Sequence, residues 1–86
     1  MKKFLNVTES KEGDLLVFLP TERTFVRGPA IHTVLDITAA TIKTRFPDST
    51  TETKTFFQVW DRFIPGEDYL IFRTEYDKML ARLKYA

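Results

Sequence analysis

The sequence predicts an α+β domain in which a three-stranded antiparallel β-meander precedes three helices. Short apolar runs separated by polar turns fill the first third of the chain, and apolar side chains recur at helical spacing in the remainder. With 86 residues, 43% of them hydrophobic, the chain has the length and composition of one folded domain over 1–86. It contains no cysteine, so no disulfide contributes to the fold.

The predicted strands cover 2–8, 14–19 and 23–27. A polar segment that ends in Gly13 separates the first strand from the second, as in a hairpin loop. The second strand is the continuous apolar run from Asp14 to Leu19, which is typical of a strand buried on both faces. Pro20 fits a turn before the third strand, because its ring fixes φ near the value that the turn needs.

The predicted helices cover 29–46, 50–63 and 67–85. The first begins at Pro29, where a missing N–H has no helical partner to lose. The second repeats large apolar side chains at helical spacing from Phe56 to Phe63. The third helix has an alternative over 69–74. The apolar run from Tyr69 to Phe72 also fits a buried strand, which would lead into a shorter helix from Glu75. We favour the continuous helix.

The stretch 29–46 has a second interpretation. From Leu35 to Arg45 it resembles the turn and recognition helix of helix-turn-helix DNA-binding proteins, with Thr38 as the cap of the second helix. The resemblance implies that Ala39, Ala40, Lys43 and Thr44 face base edges and that Arg45 contacts phosphate. His32 stands where such motifs have a small residue and the net charge is only +1, so we favour one unbroken helix.

Residues that carry catalysis or bind metals are scarce. The chain has one histidine, His32, and two serines. On a helix over 29–46, His32 and Asp36 share one face, but two ligands do not make a metal site. We therefore expect no enzymatic activity, no metal and no cofactor.

The aromatic residues of the predicted second helix indicate a different role. On a helical wheel, Phe57 lies about 100° from the apolar stripe that contains Trp60. This helix has more aromatic side chains than the core of so small a domain can bury, so part of its aromatic surface is expected to be exposed. The sequence therefore predicts a protein-binding surface made of Phe57, Trp60, Ile64 and Arg62. We expect a non-enzymatic inhibitor, adaptor or assembly protein, with DNA binding as the alternative.

We expect a cytoplasmic protein, because no apolar run approaches the length of a membrane span and the first residues do not form a signal peptide. Short cysteine-free chains of this kind resemble small host-directed or structural phage proteins, which implies the host cytoplasm if a phage encodes this one. The expected partner is a protein, with no membrane, and a homo-oligomer is compatible with the sequence.

Overall fold

A five-stranded antiparallel sheet with a helix on one face forms the fold of this protein. The computed structural model describes residues 4–46, 50–55 and 62–85. The described elements are a 3-10 turn at Val7–Glu9, strands β1 (Leu15–Phe18), β2 (Ala30–Ile37), β3 (Thr41–Arg45), β4 (Thr51–Thr55) and β5 (Tyr69–Phe72), and helix α1 (Glu75–Tyr85). The strand order is β4-β3-β2-β1-β5. The class is α+β, but the predicted meander followed by three helices is wrong.

Strand β1 lies in the interior of the sheet between β2 and β5. It falls within the apolar run predicted as a strand over 14–19, and all four of its side chains are buried. Leu15 lies opposite Thr33 of β2 and Phe72 of β5, and Phe18 lies opposite Ala30 and Tyr69. A strand covered on both faces needs a continuous apolar run, because its alternate side chains enter two different cores.

The two faces of the sheet carry separate clusters. On one face, here called the loop face, Val7 of the N-terminal turn packs with Leu16, Phe18 and Tyr69. On the other, the helix face, Ala81 of α1 packs with Leu15 and Val17. Val7 of the turn and Ala81 of α1 are the fully buried residues that the described segments outside the sheet contribute to these clusters. Helix α1 packs mainly on β1, β2 and β5, so β3 and β4 lie to the side of the helix.

The stretch predicted as the first helix, 29–46, is a β-hairpin formed by β2 and β3, with a bulge between Val34 and Asp36. β-branched residues, which favour strands, hold eight of its eighteen positions: Ile31, Thr33, Val34, Ile37, Thr38, Thr41, Ile42 and Thr44. The Thr38 hydroxyl accepts hydrogen bonds from the N–H groups of Ala40 and Thr41, at 3.2 and 2.9 Å. It therefore closes the hairpin turn, and the single-helix and helix-turn-helix interpretations are both wrong.

The strands predicted at 2–8 and 23–27 are also wrong. Among the described residues of the first, Asn6 caps the 3-10 turn and its N–H bonds to the carboxylate of Glu9 at 2.9 Å. In the second region, the N–H of Phe25 bonds back to the carbonyl of Thr21 at 3.3 Å. Asn, Ser and Thr side chains satisfy backbone groups locally, and this competes with strand pairing.

The two remaining predicted helices are wrong at their starts. The range 50–63 begins with β4, and residues 56–61 lie outside the described residues. The range 67–85 divides into β5 and α1, so the interpretation with a strand and a shorter helix from Glu75 is correct. Thr74 marks the division, because its hydroxyl accepts from the N–H of Asp77 at 3.1 Å and caps α1.

Candidate functional site

A buried carboxylate holds two loops together at the end of the sheet. The side chain of Asp68, which is 0% exposed, accepts hydrogen bonds from the Thr21 hydroxyl at 2.7 Å, from Arg23 Nε at 2.6 Å and from the Ile64 N–H at 2.7 Å. Arg23 also contacts Glu67 at 3.1 Å. This Asp68 brace fixes the loop at 20–28, here called the Phe25 loop, against the turn that precedes β5.

Backbone geometry places Asp68 at this position. The N–H groups of Glu67 and Asp68 both bond to the carbonyl of Ile64, and Gly66 has φ +88°, which glycine adopts without steric cost. A Cβ on Gly66 would approach the ring of Phe4 to 2.4 Å, so the turn accepts no larger residue without a shift. The Asp68 carboxylate therefore points inward from a rigid turn.

The electrostatics of the brace favour the ionised form of Asp68. Burial raises the pKa of this carboxyl, but the hydrogen bonds from Arg23, Ile64 and Thr21 outweigh burial and bring the pKa to about 2. The hydrogen bond to Asp68 likewise raises the pKa of the Arg23 guanidinium. Both groups are therefore charged at neutral pH.

The Phe25 loop presents an exposed aromatic ring. Phe25 has φ 57° and its side chain is 84% exposed. It is the one non-glycine residue with positive φ among the described residues. The loop is held on the N-terminal side of this residue, because the Thr24 hydroxyl donates to the Leu19 carbonyl at 2.6 Å and the Thr21 N–H donates to Thr24 Oγ1 at 3.0 Å.

Two of the four residues predicted to bind a protein lie near this brace in the chain. Ile64, which donates its N–H to Asp68, has a side chain 42% exposed, and Arg62 is exposed in the preceding turn. Phe57 and Trp60 lie outside the described residues. The brace thus joins Ile64, a predicted residue, to the Phe25 loop, which no sequence pattern had indicated.

The structure does not bring the predicted DNA-contacting residues together. Ala39 and Ala40 are exposed at the hairpin turn, and Lys43 and Arg45 are exposed on β3. Thr44 is buried on the loop face, because alternate residues of a strand point to opposite faces.

His32 is packed into the loop face. Its ring lies between those of Phe18 and Phe46, with centroid distances of 4.9 and 4.5 Å, and its Nδ1 is 3.4 Å from Thr44 Oγ1. Burial lowers its pKa, although Glu52 acts in the opposite direction. No group of three or more His, Cys, Asp or Glu residues in the described part of the chain is placed to hold a metal.

A second exposed apolar surface lies on α1. Its outer stripe consists of Tyr76, Met79, Leu80 and Leu83. Leu83 is 77% exposed and Tyr76 is 66% exposed, whereas Ala81 on the opposite side of the helix is buried against the sheet. The helix thus has apolar residues on the side that faces solvent as well as on the side that faces the core.

No protein-family model, curated protein or solved structure matches this chain. Function is therefore inferred from the geometry of the chain itself. None of the helices in the described ranges has both the length and the apolar content to cross a membrane.

Sequence reasoning did not indicate the Phe25 loop or the role of Asp68. The predicted strand over 23–27 contains Phe25, and the predicted helix over 67–85 begins with Glu67 and Asp68. The Thr21 and Thr24 hydroxyls were the available signal, since threonine three residues after threonine in a polar segment favours a closed turn. Nothing in the sequence indicates a positive φ at a phenylalanine.

Proposed function

We propose that this protein is a non-enzymatic binding module whose protein partner receives the ring of Phe25. The observation that carries the proposal is the combination of exposure and strain at this residue. A loop that hydrogen bonds hold in one backbone conformation loses less conformational freedom on binding than a free loop, and aromatic residues are frequent anchors of protein interfaces.

The strain at Phe25 supports a functional role. A bulky residue in the left-handed region costs about 1–2 kcal/mol, and glycine removes that cost. Glycine is the residue that folding alone favours at this position. The hydrogen bonds that Thr21 donates to Asp68 and that Thr24 donates to the Leu19 carbonyl keep the loop in its conformation. Strained residues that are over-determined by their surroundings cluster at binding sites.

The chemistry around Phe25 defines the partner. Arg27 is exposed two residues after Phe25, and Arg23, two residues before it, is bound to Asp68. An apolar cleft with an acidic group at its rim matches this arrangement, because the ring fills the cleft and Arg27 meets the charge.

The groups best suited to catalysis are occupied with packing, which supports a binding role. His32 lies between two phenylalanine rings. Tyr69 is fully buried, its hydroxyl accepts from the Val7 N–H at 2.9 Å, and burial raises its pKa. Neither side chain projects into an open cleft as a general acid or base does.

The proposal is tested by comparing the wild-type protein with the variant Phe25→Gly. Each is immobilised and used to capture proteins from a nuclease-treated lysate of the native host. The captured protein is then purified and titrated by calorimetry. We expect at least a hundredfold weaker binding to Phe25→Gly, as for the loss of a central aromatic anchor.

Leu83→Asp is the matched control, because it changes a similarly exposed apolar residue that lies on α1, outside the Phe25 loop. It is expected to bind the same partner as the wild type. Equal capture and equal affinity for the wild type and Phe25→Gly contradict the proposal. Loss of binding in both variants also contradicts it, since the site then does not depend on Phe25 in particular.

Duplex DNA is not included in the proposal. Lys43 lies opposite Asp36 in the β2–β3 pairing, and Thr44 is turned into the core. We expect no binding of the wild-type protein to random duplex at about 50 mM salt, a condition that favours nonspecific electrostatic contacts. Fluorescence anisotropy with a labelled duplex measures this directly.

A further inference from the structure

The outer stripe of α1 has the spacing of a helix-pairing seam. Tyr76, Met79 and Leu83 lie at i, i+3 and i+7, and Leu80 adjoins them. In heptad notation Tyr76 and Leu83 occupy a positions and Met79 occupies the d position between them. Ala81, which packs against the sheet, then occupies an f position on the opposite side of the helix. The heptad seam and the core side are therefore separate surfaces of one helix.

The charges beside the seam specify the orientation of the helix that fits it. Glu75 and Arg82 are both exposed and occupy g positions, seven residues apart. In an antiparallel helix pair, g positions of one helix lie beside g positions of the other, so Glu75 of each copy faces Arg82 of the other. In a parallel pair, g faces e, and Glu75 faces the apolar Leu80. Of the two ways to pair α1 with a second copy of itself, the antiparallel one therefore brings opposite charges together and the parallel one does not.

The registers of the apolar and charged contacts agree. With a twofold axis that passes close to Met79, Tyr76 lies against Leu83 of the second copy, and Glu75 lies against Arg82. Glu75 already contacts Lys78 of its own helix at 2.9 Å. Its side chain is still 88% exposed, so its carboxylate has room to accept a second cation.

We propose that the occupant of the outer stripe is a second copy of this chain, with the two α1 helices paired antiparallel about a twofold axis at Met79. The inference does not depend on the proposed role of Phe25. The helix has 11 residues and is therefore about 16 Å long. An interface of that length lies below the standard size, so the dimer dissociation constant is expected on the order of 10–100 µM.

Sedimentation velocity over a range of about 2–500 µM tests the dimer. The wild-type protein is expected to move from monomer to dimer across this range. Leu83→Asp is expected to stay monomeric throughout, and circular dichroism checks that it keeps the wild-type fold. Phe25→Gly is the matched control, because it removes an exposed apolar residue outside the stripe and is expected to dimerise like the wild type. A wild-type protein that is monomeric at about 500 µM overturns the proposal.

Single cysteines test the orientation, because the native chain contains none. Met79→Cys lies beside the proposed axis and is expected to form a disulfide-linked dimer under mild oxidation. Tyr76→Cys alone is expected not to cross-link, whereas a mixture of Tyr76→Cys and Leu83→Cys forms the mixed dimer. Efficient self-linking of Tyr76→Cys indicates a parallel pair and overturns the antiparallel arrangement.

Charge reversal tests the seam without changing any apolar residue. Glu75→Arg places two arginines together at each end of the pair, and Arg82→Glu places two glutamates together. Each variant alone is expected to dimerise about tenfold more weakly than the wild type, and an equimolar mixture is expected to recover wild-type affinity as a heterodimer. Failure of the mixture to recover, with both variants folded, overturns the assignment of the occupant to a second copy.

Discussion

Two buried aspartates act at opposite ends of the same strand pair. Asp14 immediately precedes β1 and Asp68 immediately precedes β5. Because β1 and β5 are antiparallel, with Leu15 opposite Phe72 and Phe18 opposite Tyr69, the two carboxylates lie at the two ends of one ladder. Asp68 binds Arg23 at 2.6 Å, and Asp14 binds Arg73 at 2.9 Å. Each pair fastens a neighbouring segment to the sheet.

The two ends differ in what they hold. At the Asp14 end, Arg73 also donates to the carbonyl of Glu9 at 2.8 Å, and Lys78 of α1 donates to the carbonyl of Gly13 at 3.0 Å. The left-handed residue there is Gly13, with φ +90°, and carries no strain. At the Asp68 end Gly66 also adopts a positive φ, +88°, without strain, but Phe25 is left-handed as well, with φ 57°. The two ends therefore differ in the strained, exposed ring that the Asp68 end carries.

The largest expected effect of a single change at either end comes from Asp68→Ala. It leaves donors from Thr21, Arg23 and Ile64 without their acceptor and opens a small cavity. We expect the free energy of unfolding, measured in urea, to fall by about 3 kcal/mol. Binding to the partner captured through Phe25 is also expected to weaken, because the loop is no longer fixed. Thr21→Val removes one of the three bonds to Asp68 and also the acceptor of the Arg23 and Thr24 N–H groups, at 3.3 Å each. It should show the same two effects, each smaller than in Asp68→Ala.

Asp14→Ala is the corresponding change at the other end and is expected to cost less, about 2 kcal/mol in the same measurement. Arg73 keeps its bond to Glu9, and the N–H of Lys11, which donates to Asp14 at 2.8 Å, turns to water at an exposed position. Affinity for the partner of Phe25 is expected to be unchanged. A parallel loss of that affinity contradicts the division of roles between the two ends.

The stability of the protein at acid pH depends on Asp68, because the pKa of this carboxyl is lowered from 3.8 to about 2 in the folded protein. A carboxyl with a depressed folded pKa stabilises the fold above its unfolded pKa, and this stabilisation is lost as the pH falls through the folded value. The contribution of ionised Asp68 to the free energy of unfolding is therefore complete at pH 5 and is about 1 kcal/mol smaller at pH 3. The effect is modest because Arg23 is partly exposed and solvent screens its charge.

Asp68→Asn isolates this contribution. The amide keeps an acceptor oxygen for Arg23 and Ile64, and its NH₂ group can donate to the Thr21 hydroxyl. Between pH 5 and pH 3 the variant is expected to lose about 1 kcal/mol less stability than the wild type, measured by urea denaturation at both values. Identical losses in the two proteins show that other groups account for the acid sensitivity.

The sequence was informative where one pattern had one structural meaning. The run from Asp14 to Leu19 is too short and too apolar for anything but a buried strand, and β1 lies within it. Thr38 shows the opposite case. A hydroxyl that accepts N–H groups two and three residues later serves a helix N-cap and a hairpin turn equally well. The predicted role of the Thr38 hydroxyl as an acceptor of backbone N–H groups is correct, but the predicted helix is wrong.

The other predictions are wrong because contacts between distant parts of the chain override the local pattern. The spacing of Ile31, Leu35 and Ile42 fits a helix, but pairing with β1 and β4 selects the strand, and the bulge after Val34 resets the alternation. The candidate site depended on contacts that no local pattern contains. The Thr21–Asp68 and Arg23–Asp68 bonds join residues 47 and 45 positions apart.

A change at Phe25 is expected to alter stability in the opposite direction. Phe25→Gly removes the cost of the left-handed conformation and loses little burial, so we expect the free energy of unfolding to rise by about 1 kcal/mol. For a domain of this size that is an increase in Tm of about 4–8 °C, measured by calorimetry. Phe25→Ala keeps a Cβ in the same conformation and should show no such gain.

Gly13→Ala makes the reverse change at the Asp14 end. A Cβ on Gly13 meets no atom within 4 Å, so any loss of stability reflects the backbone conformation alone. We expect a loss of about 1 kcal/mol there. A gain at Phe25 and a loss at Gly13 indicate that the Asp68 end maintains a conformation that stability disfavours, which is the property expected of a residue kept for binding. Destabilisation by Phe25→Gly instead shows that the ring contributes to folding, and the division between the two ends is then lost.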